Sequence, residues 1–129
     1  MAHILLLEPD TRLAKIYISE MDRNGHTVVH CKEASEAIAA LDSSRIDLVI
    51  LEIQIALHNG IEFLYEMRSY PDWQSIPVII NTLVPSIVIE KNKLLTKQLH
   101  ISEVLYKPAT KLKTLNSVIQ RNVVAQVST

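Results

Sequence analysis

The sequence predicts an α/β protein in which a five-stranded parallel sheet is covered by helices on both faces. Two patterns alternate along the 129 residues. Short apolar runs such as DLVIL at 47–51 are typical of strands buried on both faces. Longer segments place apolar residues three and four positions apart, as amphipathic helices do. Five strand–helix units in strict alternation indicate a parallel sheet with crossover helices.

The boundaries of the elements follow from these runs and from their flanking residues. We predict strands at 3–7, 26–30, 47–51, 77–81 and 103–106. We predict helices from Asp10 or Thr11 to Asn24-Gly25, and over 33–42, 60–70, 87–99 and 110 to about 124. Asp10, Thr11 and Thr110 can cap helices by accepting a free backbone N–H, and Gly25 supplies a left-handed stop.

Helical spacing is clear in the first and last helices. The first carries Leu13, Ile16, Tyr17, Glu20 and Met21 at this spacing. The last is expected to turn inward Leu112, Leu115, Val118 or Ile119, and Val123.

Composition excludes several classes of function. The 13 basic and 14 acidic residues give a net charge of -1, so there is no electrostatic footprint for nucleic acid or for a membrane surface. No apolar run approaches about 18 residues, the length of a membrane span. Cys31 is the single cysteine, which excludes an internal disulfide and favours a reducing, cytoplasmic location. We expect residues 1–129 to form one domain.

Chemistry-bearing residues follow four of the five strands. In open parallel sheets the functional crevice lies beyond the carboxyl ends of the strands. Glu8, Pro9 and Asp10 follow the first strand, and Glu52 follows the third. Thr82 follows the fourth strand and Lys107 follows the fifth. Two acids, a hydroxyl and an ammonium group are therefore expected at one edge of one sheet.

The stretches ILLLEPD, DLVILEIQIALHNGIEFL, IPVIINT and VLYKP resemble the receiver domain of bacterial response regulators over nearly the whole chain. The resemblance implies a flavodoxin-like receiver fold with strand order 2-1-3-4-5. It also implies an acidic pair after the first strand, a phospho-accepting Asp after the third, Thr or Ser after the fourth and Lys-Pro after the fifth.

The chain departs from that pattern where the family's chemistry takes place. Glu52 stands in the position of the phospho-accepting Asp, and Pro9 replaces the second acid, which normally binds Mg²⁺. Glu8 matches the first acid, while Asp10 comes one position late and is expected to cap the first helix. Phosphoryl transfer depends on a metal that spreads the developing charge. We therefore expect Mg²⁺ binding by Glu8 and Asp10 to be weak or absent, and no cofactor.

Three roles remain open for Glu52. Its side chain is one methylene longer than Asp, so its carboxylate can reach Lys107 or the Thr82 hydroxyl without a phosphate between them. It can hold the domain in a fixed state that imitates phosphorylation, or form a purely structural ion pair with Lys107. The third role is residual phosphorylation involving Glu52 or Asp10.

The sequence favours a stand-alone pseudo-receiver that is not an enzyme but a protein-interaction module in a two-component-type pathway. The resemblance implies a histidine kinase or a downstream signalling protein as partner. It also implies a contact face on the fourth helix, fifth strand and fifth helix, with possible homodimerisation there. On this face we place Ile89, Lys93, Lys97 and Tyr106. Val104 stands in place of the family's aromatic switch residue.

Alternatives of other kinds remain. The chain can be a working receiver that accepts a phosphoryl group from a histidine kinase with atypical ligands and Mg²⁺. A small-molecule or nucleotide binder could use the same crevice, but Gly25 and Gly60 are the only glycines, and neither lies at the first strand–helix turn as a phosphate-binding loop requires. The chain can also be a fragment of a longer regulator.

Overall fold

The computed structural model describes residues 1–55, 59–85 and 93–127, with the backbone alone described at 93–95 and 124–127. The strands are β1 (His3–Leu7), β2 (Thr27–Cys31), β3 (Leu48–Leu51), β4 (Val78–Thr82) and β5 (Ile101–Tyr106). The helices of this part of the chain are α1 (Thr11–Arg23), α2 (Ala34–Ser43), α3 (Gly60–Arg68), α4 (Lys93–Gln98) and α5 (Leu112–Val127). Short 3-10 turns span Pro71–Trp73 and Lys107–Ala109. The predicted helix over 87–99 is present from Lys93, and its residues before that lie outside the described ranges.

All neighbouring strands are parallel, and their order is β2-β1-β3-β4-β5, as the resemblance implied. The register brings the carboxyl ends of the strands to one edge. Leu7 of β1 pairs with Leu51 of β3, so the residues that follow them, Glu8 and Glu52, lie side by side. Thr82 pairs with Tyr106, which places Lys107 next to the end of β4.

Successive side chains of each strand pack into two different apolar layers, as the alternation of a β-strand requires. Leu5 and Leu7 of β1 lie in the layer that α2 and α3 cover, together with Val49, Leu51, Val78 and Ile80 from β3 and β4. Ile4 and Leu6 lie in the layer that α1 and α5 cover, together with Leu48, Ile50 and Ile79. The sheet is therefore buried on both faces, which explains the continuous apolar runs of its strands.

The structure shows which residues of the first helix are buried and corrects the start of the last helix. Ile16 is 49% exposed, because Ala14, Tyr17 and Met21 form the buried face of α1. Thr110 does not cap the last helix: α5 begins at Leu112, and the Thr110 hydroxyl donates to the carbonyl oxygen of Tyr106 at 2.8 Å.

Two predicted helix ends are confirmed. Asp10 caps α1 by accepting from the N–H groups of Arg12 (3.0 Å) and Leu13 (3.2 Å). Gly25 follows α1 with a φ of 84°, a left-handed conformation that glycine adopts without a steric penalty. Among the described residues, no helix has both the length and the apolar character needed to cross a membrane.

Arg68 connects two turns at the opposite edge of the sheet, where β4 and β5 begin. Its Nε donates to the carbonyl oxygen of Leu99 at 2.9 Å, and its Nη atoms donate to those of Trp73 (2.8 Å), Gln74 (3.2 Å) and His100 (3.2 Å). Only 9% of the residue is exposed. A planar guanidinium supplies several donors at fixed angles, so one side chain joins the turn before β4 to the turn before β5.

Replacing Arg68 by Lys is expected to lower the free energy of unfolding by at least about 2 kcal/mol. An ammonium group has only three donors and lacks the planar fork of a guanidinium, so it cannot bind four carbonyls at once. Each buried group left unpaired costs about 1–3 kcal/mol. Urea denaturation measures the effect. Arg12→Lys, the same change at an exposed position of α1, should change stability by less than about 0.5 kcal/mol; equal effects at both positions would contradict this role for Arg68.

Candidate functional site

The four predicted segments meet at the carboxyl edge of the sheet. Backbone hydrogen bonds extend the strand ladders by one residue, from the Glu8 N–H to the carbonyl oxygen of Cys31 (2.9 Å) and from the Glu52 N–H to that of Leu7 (3.0 Å). Glu8 and Glu52 are 1% and 3% exposed. The sheet therefore holds both acids in fixed positions beneath the surface.

Both carboxylate oxygens of Glu52 are fully engaged. Oε2 accepts from the Thr82 hydroxyl and from the N–H of Gln54 at 3.1 Å. Oε1 accepts from the N–H of Leu83 at 3.0 Å and from the Lys107 ammonium at 2.7 Å. The side chain thus reaches both Thr82 and Lys107 directly, as its length allows.

The Lys107 ammonium lies between two carboxylates. Its Nζ is 2.6 Å from Oε1 of Glu8 and 2.7 Å from Oε1 of Glu52, and the three side chains are only 2–5% exposed. Burying a charge is costly unless the charge is paired and hydrogen-bonded. The cluster satisfies that requirement, since each of its charges has an opposite charge at hydrogen-bonding distance.

The contacts of Glu52 and Lys107 determine the direction in which the pKa of each group is shifted. Burial alone would raise the pKa of the Glu52 carboxyl, but the hydrogen bonds from Lys107, Thr82, Gln54 and Leu83 outweigh it and hold that pKa below its ordinary value. Burial alone would lower the pKa of Lys107, but the bonds to Glu52 and Glu8 raise it above the ordinary value. The structure therefore favours a charged carboxylate and a charged ammonium group.

The remaining predicted ligands do not complete a site for Mg²⁺. Asp10 uses Oδ1 to cap α1, and Pro9 offers no side-chain oxygen. Oε2 of Glu8 accepts from the N–H of Asp10 at 3.1 Å, while its other oxygen binds Lys107. Mg²⁺ needs near-octahedral oxygen ligation, whereas these oxygens already bind protein donors and a cation sits between the acids. The residues present do not fit the metal, and among the described residues no cluster of three or more His, Cys, Asp or Glu side chains could hold one.

Several contributors to the site were not foreseen from the sequence. The N–H groups of Gln54 and Leu83 bind Glu52 through the backbone, so their side-chain types give no signal. Val84 donates its N–H to Oγ1 of Thr82 at 3.1 Å, which fixes the hydroxyl as a donor toward Glu52. His30 donates from Nε2 to the carbonyl oxygen of Glu8 at 2.8 Å; only its place at the end of the neighbouring strand could have indicated this.

The expected contact face is described in part. Lys97 is exposed and Tyr106 is half-buried. Ile89 lies outside the described residues, and Lys93 begins α4 with its side chain outside the description. β5 and α5 are joined here by an ion pair of Arg121 and Glu103 at 2.6 Å. Within the described part of this face, β5 and α5 are therefore in direct contact through their side chains.

Replacing Lys107 by Met should lower the free energy of unfolding by about 3–5 kcal/mol, because it leaves two buried carboxylates without their counter-charge. In a chain that also carries Glu8→Gln and Glu52→Gln, the same replacement should cost much less, since no buried charge remains unpaired. Urea denaturation of the four combinations measures this coupling. Equal costs in both backgrounds would contradict the three-charge arrangement.

Glu52 should also make the free energy of unfolding depend on pH in the acidic range. An unfolded glutamate has a pKa of about 4.3, and that of folded Glu52 lies lower. The stabilisation is therefore fully present above about pH 5 and is lost as the pH falls through the folded-state value. The difference in unfolding free energy between the unaltered chain and Glu52→Gln should shrink from pH 7 to pH 3. Glu66→Gln, the same change at an exposed position of α3, serves as the control; a constant difference for Glu52→Gln would contradict the argument.

Comparisons with known proteins identify the family of the chain. The family model of the response regulator receiver domain matches residues 4–120. The transcriptional regulatory protein CpxR of Klebsiella pneumoniae is 32% identical over 108 residues, which cover 84% of this chain and 44% of that protein. The chain thus spans less than half the length of this relative. Protein PilH of Pseudomonas aeruginosa is 27% identical over 123 residues, covering 92% of this chain and 98% of PilH.

The fold has close structural counterparts. The chemotaxis response regulator CheY4 of Vibrio cholerae superposes with a TM-score of 0.84 at 23% identity, covering 95% of this chain and 98% of that one. At this identity the likeness shows the fold alone. The match of the family model covers nearly the whole sequence, and the chain therefore belongs to the response regulator receiver domain family.

Proposed function

We propose that the chain is a pseudo-receiver, a signalling module held in one state by Glu52 and read by protein partners. The observation that carries this proposal is the double contact of the Glu52 carboxylate, which binds the Thr82 hydroxyl with one oxygen and the Lys107 ammonium with the other. We take these contacts to imitate part of those that a phosphoryl group on an Asp would make in the family pattern. Here an ordinary side chain makes them.

The physical reason for a fixed state is that the site is saturated. A phosphoryl acceptor needs a carboxylate oxygen free to attack and a metal to spread the charge. Both oxygens of Glu52 accept hydrogen bonds from two donors each. Attack would require breaking a buried ion pair, whose loss costs several kcal/mol. The carboxylate carries less charge than a phosphoryl group. Glu52 would therefore imitate the contacts of a phosphorylated Asp with Thr82 and Lys107, but not its full charge.

In this proposal the module performs no catalysis and requires no cofactor. Its output is recognition by a histidine kinase or by a downstream signalling protein through the face of α4, β5 and α5, where two copies of the chain could also pair. Val104 is half-buried and is β-branched, so it has few side-chain conformers. It cannot supply the movement of a large aromatic ring between buried and exposed positions. We place the module in the cytoplasm, where its single cysteine stays reduced.

The decisive experiment asks whether the protein accepts a phosphoryl group. Incubation with Mg²⁺ and acetyl phosphate, followed by mass spectrometry of the intact chain, should show no phosphoryl adduct. A parallel amide NMR titration with Mg²⁺ should show no shifts at Glu8, Asp10 or Glu52. An adduct mapped to Glu52 or Asp10 would instead establish a working receiver with atypical ligands.

A matched variant tests whether Glu52 and Pro9 are the cause. The double replacement Pro9→Asp and Glu52→Asp shortens the acceptor by one methylene and returns a carboxylate to the acidic pair. This variant should bind Mg²⁺ and gain a phosphoryl adduct under the same conditions. If the variant folds but remains without adduct or Mg²⁺ shifts, the block does not lie at these two positions, and the proposed explanation is wrong.

A further inference from the structure

A buried amide with an unpaired oxygen lies directly behind the charged site. Asn81 precedes Thr82 on β4 and is 3% exposed, in a strand whose other members, apart from Thr82, are apolar. Its side chain points to the same layer as Ile79, between α1 and α5. Within the described ranges, Oδ1 of Asn81 is the one buried side-chain polar atom without a hydrogen-bond partner. Leaving such an atom unpaired costs about 1–3 kcal/mol, so its place in a close-packed layer calls for an explanation.

A small polar cavity adjoins this amide. Its volume is about 10 Å³, and it is lined by Tyr17, Asn81, Thr110, Lys111, Leu112 and Leu115. A cavity of about 10–15 Å³ is the smallest that can hold one water molecule, provided two to four polar groups face it. A purely apolar filling would leave the Asn81 oxygen unpaired.

The polar groups needed for a water molecule line the same cavity. The Thr110 hydroxyl donates its proton to Tyr106, so the lone pairs of its oxygen are free to accept. The first N–H groups of α5, beginning at Leu112, have no acceptor within the helix. The Tyr17 hydroxyl is already hydrogen-bonded to the Asn81 side chain. Residues that carry donors and residues that carry acceptors thus both line a cavity of about one water volume.

This argument does not depend on how the amide is oriented. The oxygen and nitrogen of an Asn side chain are assigned from its surroundings. With one end bound to Tyr17, the other end faces the cavity whichever atom it is. Water can both donate and accept, so it satisfies either orientation, whereas an anion or a cation would satisfy only one.

We propose that this cavity is the binding site of one ordered water molecule, held by the Asn81 amide and the Thr110 hydroxyl and joining β4 to the beginning of α5. Its two attachments lie beside the charged site, because Asn81 adjoins Thr82 and Thr110 follows Lys107 by three residues. The water therefore fixes the strand that carries the hydroxyl relative to the segment that carries the ammonium. This role holds whether or not the site accepts phosphate.

The first test uses the unaltered protein. A high-resolution crystal structure should show one ordered water within hydrogen-bonding distance of the Asn81 amide. In solution, the side-chain amide protons of Asn81 should show a nuclear Overhauser effect to a long-lived water. A dry cavity in the crystal, with no such effect in solution, would overturn the proposal.

Three variants test which groups hold the water. Asn81→Leu, which keeps the branching of the side chain and removes its polar atoms, should abolish the ordered water. Thr110→Val, which keeps the shape and removes the hydroxyl, should lower its occupancy. Ile79→Leu introduces the same residue two positions earlier on the same strand face and should leave the water in place. Persistence of the water in Asn81→Leu, or its loss in Ile79→Leu, would show that packing and not the amide governs the cavity, and the assignment would fail.

Discussion

The rest of the structure depends on the ammonium group of Lys107 between the carboxylates of Glu8 and Glu52. These three charges come from the ends of β1, β3 and β5, and Thr82 adds a hydroxyl from the end of β4. Because each charge is almost fully buried, none of these three strands can slip in register without leaving a charge unpaired. Apolar packing determines which strand faces are covered, whereas the ion cluster determines where the strands end relative to one another. A buried ion pair is weak evidence of added stability, so we infer that the cluster acts mainly on the arrangement of these three strand ends.

The same contacts support the proposal that this edge of the sheet serves recognition and not phosphoryl transfer. A reactive carboxylate needs an oxygen whose lone pairs are free, and a metal site needs oxygens that no protein cation already occupies. Glu52 offers neither a free oxygen nor an unoccupied one, because its side chain is one methylene longer than that of Asp and its carboxylate binds both Thr82 and Lys107. Pro9 acts in the same direction, because it stands in place of the second acid, whose carboxylate would help a metal ion to compete with the Lys107 ammonium. Two substitutions at separate strand ends therefore support one interpretation of the site.

Most of the fold could be predicted from the sequence, and so could the identity of the residues at the strand ends. Apolar runs and helical spacing are local signals, and five strands in alternation with helices leave few possible arrangements. Contacts between distant elements are different, because no spacing specifies them. Arg68 binds four carbonyls in turns that no pattern brings together, and Thr110 bonds to Tyr106 because a short 3-10 turn intervenes before α5. Ile16 matches the helical period, yet it lies on the edge of the apolar face and remains exposed.

The location of Val104 connects the site to its output. Val104 pairs with Ile80 on β4, two positions before Thr82, so the site and the β5 surface belong to one rigid ladder. A ligand can shift an equilibrium only by its different affinities for two populated states. With Thr82 bound to Glu52 and Val104 in place of the family's aromatic switch residue, the proposed pseudo-receiver is expected to have no second state of comparable energy at this edge. A partner would therefore respond to the amount of this protein present, and regulation would act on its synthesis, its degradation or its competitors for the same surface.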